Sequence, residues 1–161
     1  MIDAAQLADS FALNTRLIHM QTAGLTHADS LLQPPFRSNS LNWVVGHLLV
    51  GRNRVLRALG AEPLVSEAEI ARYETESEPI AGDGAGVWAL EELLAAHDRT
   101  QERIAEGLRR ATPDDLAREL VIGERKTTVG QRVFGLYFHD TYHTGQAELL
   151  RQLAGTDDKI V

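Results

Sequence analysis

The chain has 161 residues, 43% of them hydrophobic and 24% charged, enough for one core and too little for two large ones. A net charge of −7, with lysine only at 126 and 159, excludes the basic surface that nucleic-acid phosphates require. Cysteine is absent, so disulfides, thiolate ligands and a cysteine nucleophile are excluded, and any metal must be held by nitrogen and oxygen.

The start, Met1-Ile2-Asp3-Ala4-Ala5-Gln6, has no basic segment leading into an apolar run and does not read as a signal peptide. No apolar stretch approaches the roughly 18 residues of a membrane span, so a cytoplasmic location and no membrane partner are expected. Helical periodicity then begins at about Asp3 and runs to Ala23, with Leu7, Phe11, Ile18 and Leu25 on one face and Asn14 among them. A second helix is predicted from about Ser40 to Leu59, closed by Gly60. Its stripe of Val44, Leu48, Val55 and Leu59 has His47 at its edge, and Gly51, one turn on, leaves room beside the ring.

Residues 61–86 form a long connection containing Pro63, Pro79, Gly82, Gly84 and Gly86, with a short helix predicted over Ser66–Tyr73 from the Ser66/Glu69 capping-box spacing. The third long helix covers about Val87 to Arg110, where His97 and Gln101 lie between Leu90, Leu94, Ile104 and Leu108. Thr26-x-x-Asp29 and Thr112-x-x-Asp115 each offer the start of a short helix after a long one. The fourth helix runs from about Thr128 to Ala154, and no segment alternates as a strand.

On the fourth helix, His139 and His143 stand one turn apart amid Leu136, Ala147, Leu150 and Leu153, so both imidazoles point where the apolar stripe points. Two buried histidines four apart make a metal-binding clip, and His47 is the candidate for a third ligand. Packed as a four-helix bundle in an all-α domain spanning 1–161, the chain would bring Asn14, His97, Gln101 and Gln146 onto one polar layer with the histidines. Polar groups are not buried without partners, and a metal with a substrate cavity would supply several. His97 reads as cavity lining rather than a ligand, and Asp140 either fixes an imidazole tautomer or faces solvent.

The remaining candidates receive plainer readings. His19 and His27 are expected at the surface or at helix starts, Arg52 and Arg54 in solvent, and Arg132 as a surface arginine. Trp43, Phe134 and Phe138 read as core or interface. Phe134, Phe138, Tyr142 and Leu149 form a second stripe to one side of the histidine face, which either packs against intramolecular neighbours or makes a homodimer.

The segment Ser38-Asn-Ser-Leu-Asn-Trp-Val-Val-Gly-His-Leu48 resembles the Ser-x-x-Trp-x-x-x-His opening of helix two in the DinB/YfiT-like metalloenzymes. Residues 128–146 resemble that family's last helix, whose signature is His-x-x-x-His followed by Gly-Gln, here His139, His143, Gly145 and Gln146. The resemblance runs over nearly the whole chain in helix order. It implies a four-helix bundle with short connecting helices, a divalent transition metal, nickel or zinc, on His47, His139 and His143, and a homodimer. Characterised members include thiol-dependent S-transferases and a maleylpyruvate isomerase, which use low-molecular-weight thiols.

Three neutral imidazoles leave a metal its full charge and an open position, the pattern of a catalytic site. A thiol placed there is deprotonated and suits transfer to an electrophile, whereas a water suits hydrolysis. The leading expectation is a metal-dependent thiol S-transferase of stress or xenobiotic defence acting on a small-molecule substrate. The alternatives are a non-catalytic metal- or small-ligand-binding protein and a metal-dependent hydrolase.

Overall fold

The computed structural model describes residues 3–156 together with Asp158 and Ile160. Helix α1, Ala4–Thr22, starts where the Asp3 carboxylate accepts from the free amides of Ala5 and Gln6 at 2.7 and 3.2 Å. A short helix α2, His27–Ser30, follows, closed at its start by the Thr26/Asp29 capping box. Helix α3, Leu41–Ala58, is capped by Ser40 and ends before Gly60, whose φ of 78° turns the chain out of the helix. Helix α4, Leu90–Arg110, begins three residues later than the apolar pattern predicts, because the Glu92 side chain folds back onto the amide of Ala89 and fixes the first turn there. A second capping box, Thr112/Asp115, opens the short helix α5, Pro113–Ala117. Helix α6, Val129–Arg151, runs on through a 3-10 turn, Gln152–Ala154.

The fold is all-α in its load of structure: α1, α3, α4 and α6 make a bundle in which α3 and α1 each pack on both α4 and α6, and so face one another diagonally. Helix α3 is the axis of the molecule. Every one of its residues except Arg54 and Arg57 is buried, which an ordinary surface helix never is. Its fourth side is covered by the 61–86 connection, which contributes Val65, Ile70, Tyr73 and Ile80 to the core. Asn53 ties that connection down by donating to the Val65 carbonyl at 2.7 Å and accepting from the Leu64 amide at 2.9 Å. Tyr73, fully buried, donates its hydroxyl to Asn42 Oδ1 at 3.1 Å and accepts from the Trp88 amide at 2.8 Å.

Two expectations are corrected. The Ser66/Glu69 box forms, with Ser66 Oγ donating to Glu69 at 2.6 Å, but it closes only a turn and the regular structure is a 3-10 turn, Ala71–Tyr73. So short a segment gains little from propagation, and the burial of Ile70 and Tyr73 dictates its path instead. A hairpin was also not expected: β1, Glu119–Ile122, pairs antiparallel with β2, Arg125–Thr128, in the register Glu119↔Thr128 through Ile122↔Arg125. Neither strand has a buried residue, so neither shows the one-sided burial that makes alternation visible. The turn at Gly123, φ 60°, is its one local signal. Thr128 ends β2 and caps α6 in the same residue. Among the described residues no helix is long and apolar enough to cross a membrane.

Gly46 tests how tightly α3 and the connection are fitted, because a Cβ there would overlap the Tyr73 ring. Gly46→Ala is expected to lower stability by about 1–3 kcal/mol, the range for overpacked cores, despite the better helix propensity of alanine. Urea unfolding followed by circular dichroism measures it.

Candidate metal centre

Helices α3 and α6 pack directly against each other, and this contact brings His47 to the His139/His143 turn. The three residues offer ring nitrogens that all lie within 4.8 Å of one another, with His47 buried and the other two half-buried. His47 Nδ1 donates to the Tyr73 carbonyl at 2.7 Å, and His143 Nδ1 donates to Gln146 Oε1 at 2.7 Å. Both acceptors fix the tautomer and leave each Nε2 lone pair free, as a metal-ligating imidazole requires. The Trp43 indole stacks on His47 with ring centroids 4.5 Å apart and holds the ring plane.

Burial keeps these imidazoles neutral. It lowers His47 and His143 below the usual histidine range, and it takes His139 to about 4, helped by its two histidine neighbours and opposed by Asp140. Neutral rings are the form that binds metal. His47 Nε2 stands 3.0 Å from His139 Nε2. Tetrahedral donors about 2.05 Å from a zinc ion would be about 3.3 Å apart, close to the spacing of this pair.

Gln146 therefore bonds a histidine of the group, but the other polar residues of the expected layer stand elsewhere. Asn14 Nδ2 donates to Asp140 Oδ1 at 2.9 Å and to Thr141 Oγ1 at 3.0 Å. Gln101 bonds the Ala8 carbonyl at 3.4 Å and meets Thr15 at the same distance. His97 is fully buried with both ring nitrogens unpartnered among the described residues, and desolvation holds it well below its usual value and uncharged. None of the three lines the histidine cavity or bonds a histidine of the group.

Arg52 corrects the expectation of a solvated arginine. It is fully buried, and its Nε and Nη2 grip the two Asp140 oxygens at 2.9 and 3.2 Å. Asp140 accordingly meets an arginine and an asparagine, with neither solvent nor an imidazole at its carboxylate. A charge on a core-facing helix position reads as solvated until its partner, 88 residues away, is known. Arg54 is half-buried and pairs with Glu74 at 2.6 Å. Gly51 does leave room for a ring, but that ring is His139: a Cβ on Gly51 would lie 3.3 Å from its Nδ1.

The histidines open onto a cavity of about 940 Å³ whose wall includes Arg37, Trp43, Glu76, Glu78 and Tyr142. Sequence reasoning missed Arg37, Glu76 and Glu78, and read Trp43 as core or interface where the structure also sets it on the cavity wall. Glu76 is the one described non-glycine residue with positive φ, 68°, a conformation a side chain adopts at a cost. Its neighbours hold it there: Glu74 on Arg54, and Ser77, whose Oγ accepts from Trp43 Nε1 at 2.9 Å and donates to the Arg72 carbonyl at 2.8 Å. The available signal was the length of the 61–86 connection, since structureless loops of that size in compact domains are usually functional.

A family model described as the DinB superfamily matches residues 11–147. Among solved structures, one described as a conserved protein from Enterococcus faecalis superposes with a TM-score of 0.75 at 15% identity, covering 97% of this chain and 99% of that one. At that identity the likeness is one of fold. No curated protein matches the chain.

Proposed function

Because the chain belongs to the DinB superfamily, we propose that it is a divalent-metal protein, holding the ion on His47, His139 and His143 and transferring a low-molecular-weight thiol to an electrophilic small molecule. The observation that carries the reading is the convergence of three neutral imidazoles, with no carboxylate among them, on the wall of an open cavity. Such a donor set suits zinc or nickel, and the ion would supply Lewis acidity that lowers the pKa of a thiol or water placed against it. His47 and His143 keep their Nε2 atoms turned to the ion through the Tyr73 carbonyl and Gln146. Arg37, Glu76 and Glu78 give the cavity charges of both signs, which suits a polar thiol better than an apolar ligand. In the transfer the thiol proton passes to a cavity carboxylate or solvent, the sulfur electron pair forms the new C–S bond, and the leaving group keeps the pair of the bond it breaks. Transfer of a thiol to an electrophile is the kind of chemistry that detoxification uses.

The exposed stripe on α6 belongs to the same proposal. Phe134, Phe138, Tyr142 and Leu149 are 49%, 67%, 59% and 64% exposed, so no described element of the chain covers them, and a second copy would. Tyr142 also lines the cavity, which places that interface beside the site.

Metal-replete protein is expected to consume a generic electrophile only when a thiol is supplied, and His143→Ala to lose at least about a hundredfold in rate. Metal binding with no turnover by any thiol would make it a binding protein, and thiol-independent ester cleavage a hydrolase; either result overturns the transferase. For the assembly, sedimentation equilibrium at micromolar concentration should give a dimer that Phe138→Glu splits with helicity retained. A wild-type monomer would refute the interface.

A further inference from the structure

We propose that the buried Arg52–Asp140 pair is a positioning device that aims His139 at the metal, an inference that rests on reading the three histidines as a metal site. The three ligands are not held alike. His47 and His143 each have Nδ1 anchored by an acceptor at 2.7 Å, whereas His139 Nδ1 is buried with no hydrogen-bond partner among the described residues. A metal-ligating imidazole is normally oriented by the bond its second nitrogen makes, and His139 lacks that bond. Its aim must come from the backbone that carries it and from what its ring rests on.

Both are supplied by one turn of α3. Asp140 follows His139 directly on α6, and its carboxylate receives Arg52 Nε at 2.9 Å, Arg52 Nη2 at 3.2 Å and Asn14 Nδ2 at 2.9 Å. Two helices thus grip α6 at the residue next to the ligand, and a two-point arginine–carboxylate contact fixes rotation as well as distance. Gly51, next to Arg52, is the α3 position that lies against His139 Nδ1, with space that even a methyl group would press on at 3.3 Å. The Gly51–Arg52 step therefore seats the ring on one side and clamps its backbone on the other.

A pair that served the fold alone could be replaced by apolar side chains of similar volume with little loss of stability. The full chain is titrated with Co(II), reading affinity and the visible ligand-field spectrum, beside thermal melting of the metal-free protein. Wild type and His143→Ala come first: if wild type takes up no Co(II), the metal reading itself fails. Given wild-type binding, the double variant Arg52→Met/Asp140→Leu is expected to melt near wild type when metal-free, yet to bind Co(II) about 10–100-fold more weakly with an altered spectrum. Arg52→Lys, which keeps the charge and loses the fork, should show the same weakening, and it decides the matter if the double variant does not fold. Folded variants with wild-type affinity and spectrum would overturn the proposal.

Discussion

A guanidinium sealed from water must find its partners in protein, and in this bundle Arg52 finds them on three helices at once. Its Nη1 donates to Thr15 Oγ1 on α1 at 3.0 Å and reaches the His97 carbonyl on α4 at 3.4 Å, while Nε and Nη2 take Asp140 on α6. The guanidinium also lies 5.8 Å from the centroid of the Phe11 ring. Leaving such a charge unpaired costs about 3–5 kcal/mol, so the heights of the four helices relative to one another are set where this network closes. His47 is five residues before Arg52 on α3, and His139 one residue before Asp140 on α6. The register that satisfies the arginine is the register that brings the histidines together.

The histidine group depends on a second consequence of burial. Desolvation opposes protonation of each ring, and the acceptors at Nδ1 of His47 and His143 select the tautomer that faces the other ligands. The ring nitrogens of the three histidines lie within 4.8 Å of one another. The apolar core contains none of the three histidines. Two clusters of buried side chains, one around α3 and the 61–86 connection and one around Phe11, Leu56, Ile104 and Val133, supply the core.

Much of this was legible in the sequence, for reasons tied to particular residues. The caps at Asp3, Ser40 and Thr128 sit where short polar side chains precede apolar periodicity, so the ends of α1, α3 and α6 fall within a residue of expectation, apart from the 3-10 finish after Arg151. The His139/His143 pair was readable because four residues make one helical turn, and His47 because it shared an apolar stripe. Arg52 was not readable: whether an arginine in a helix is solvated or buried depends on a carboxylate 88 positions away. Glu76 and Arg37 were hidden for the same reason, since a cavity wall is assembled from a connection and a loop that carry no periodicity. The hairpin escaped because exposed strands leave no pattern to find.

The claim on which the rest turns is that one divalent ion sits on three histidines, two from α6 and one from α3. Elemental analysis of purified wild type and His143→Ala, each dialysed against buffer with traces of zinc and nickel, tests it most directly. About one transition-metal ion per chain in wild type, and a small fraction of that in the variant with its helical circular dichroism intact, is the predicted result. Equal metal content in the two proteins would contradict it.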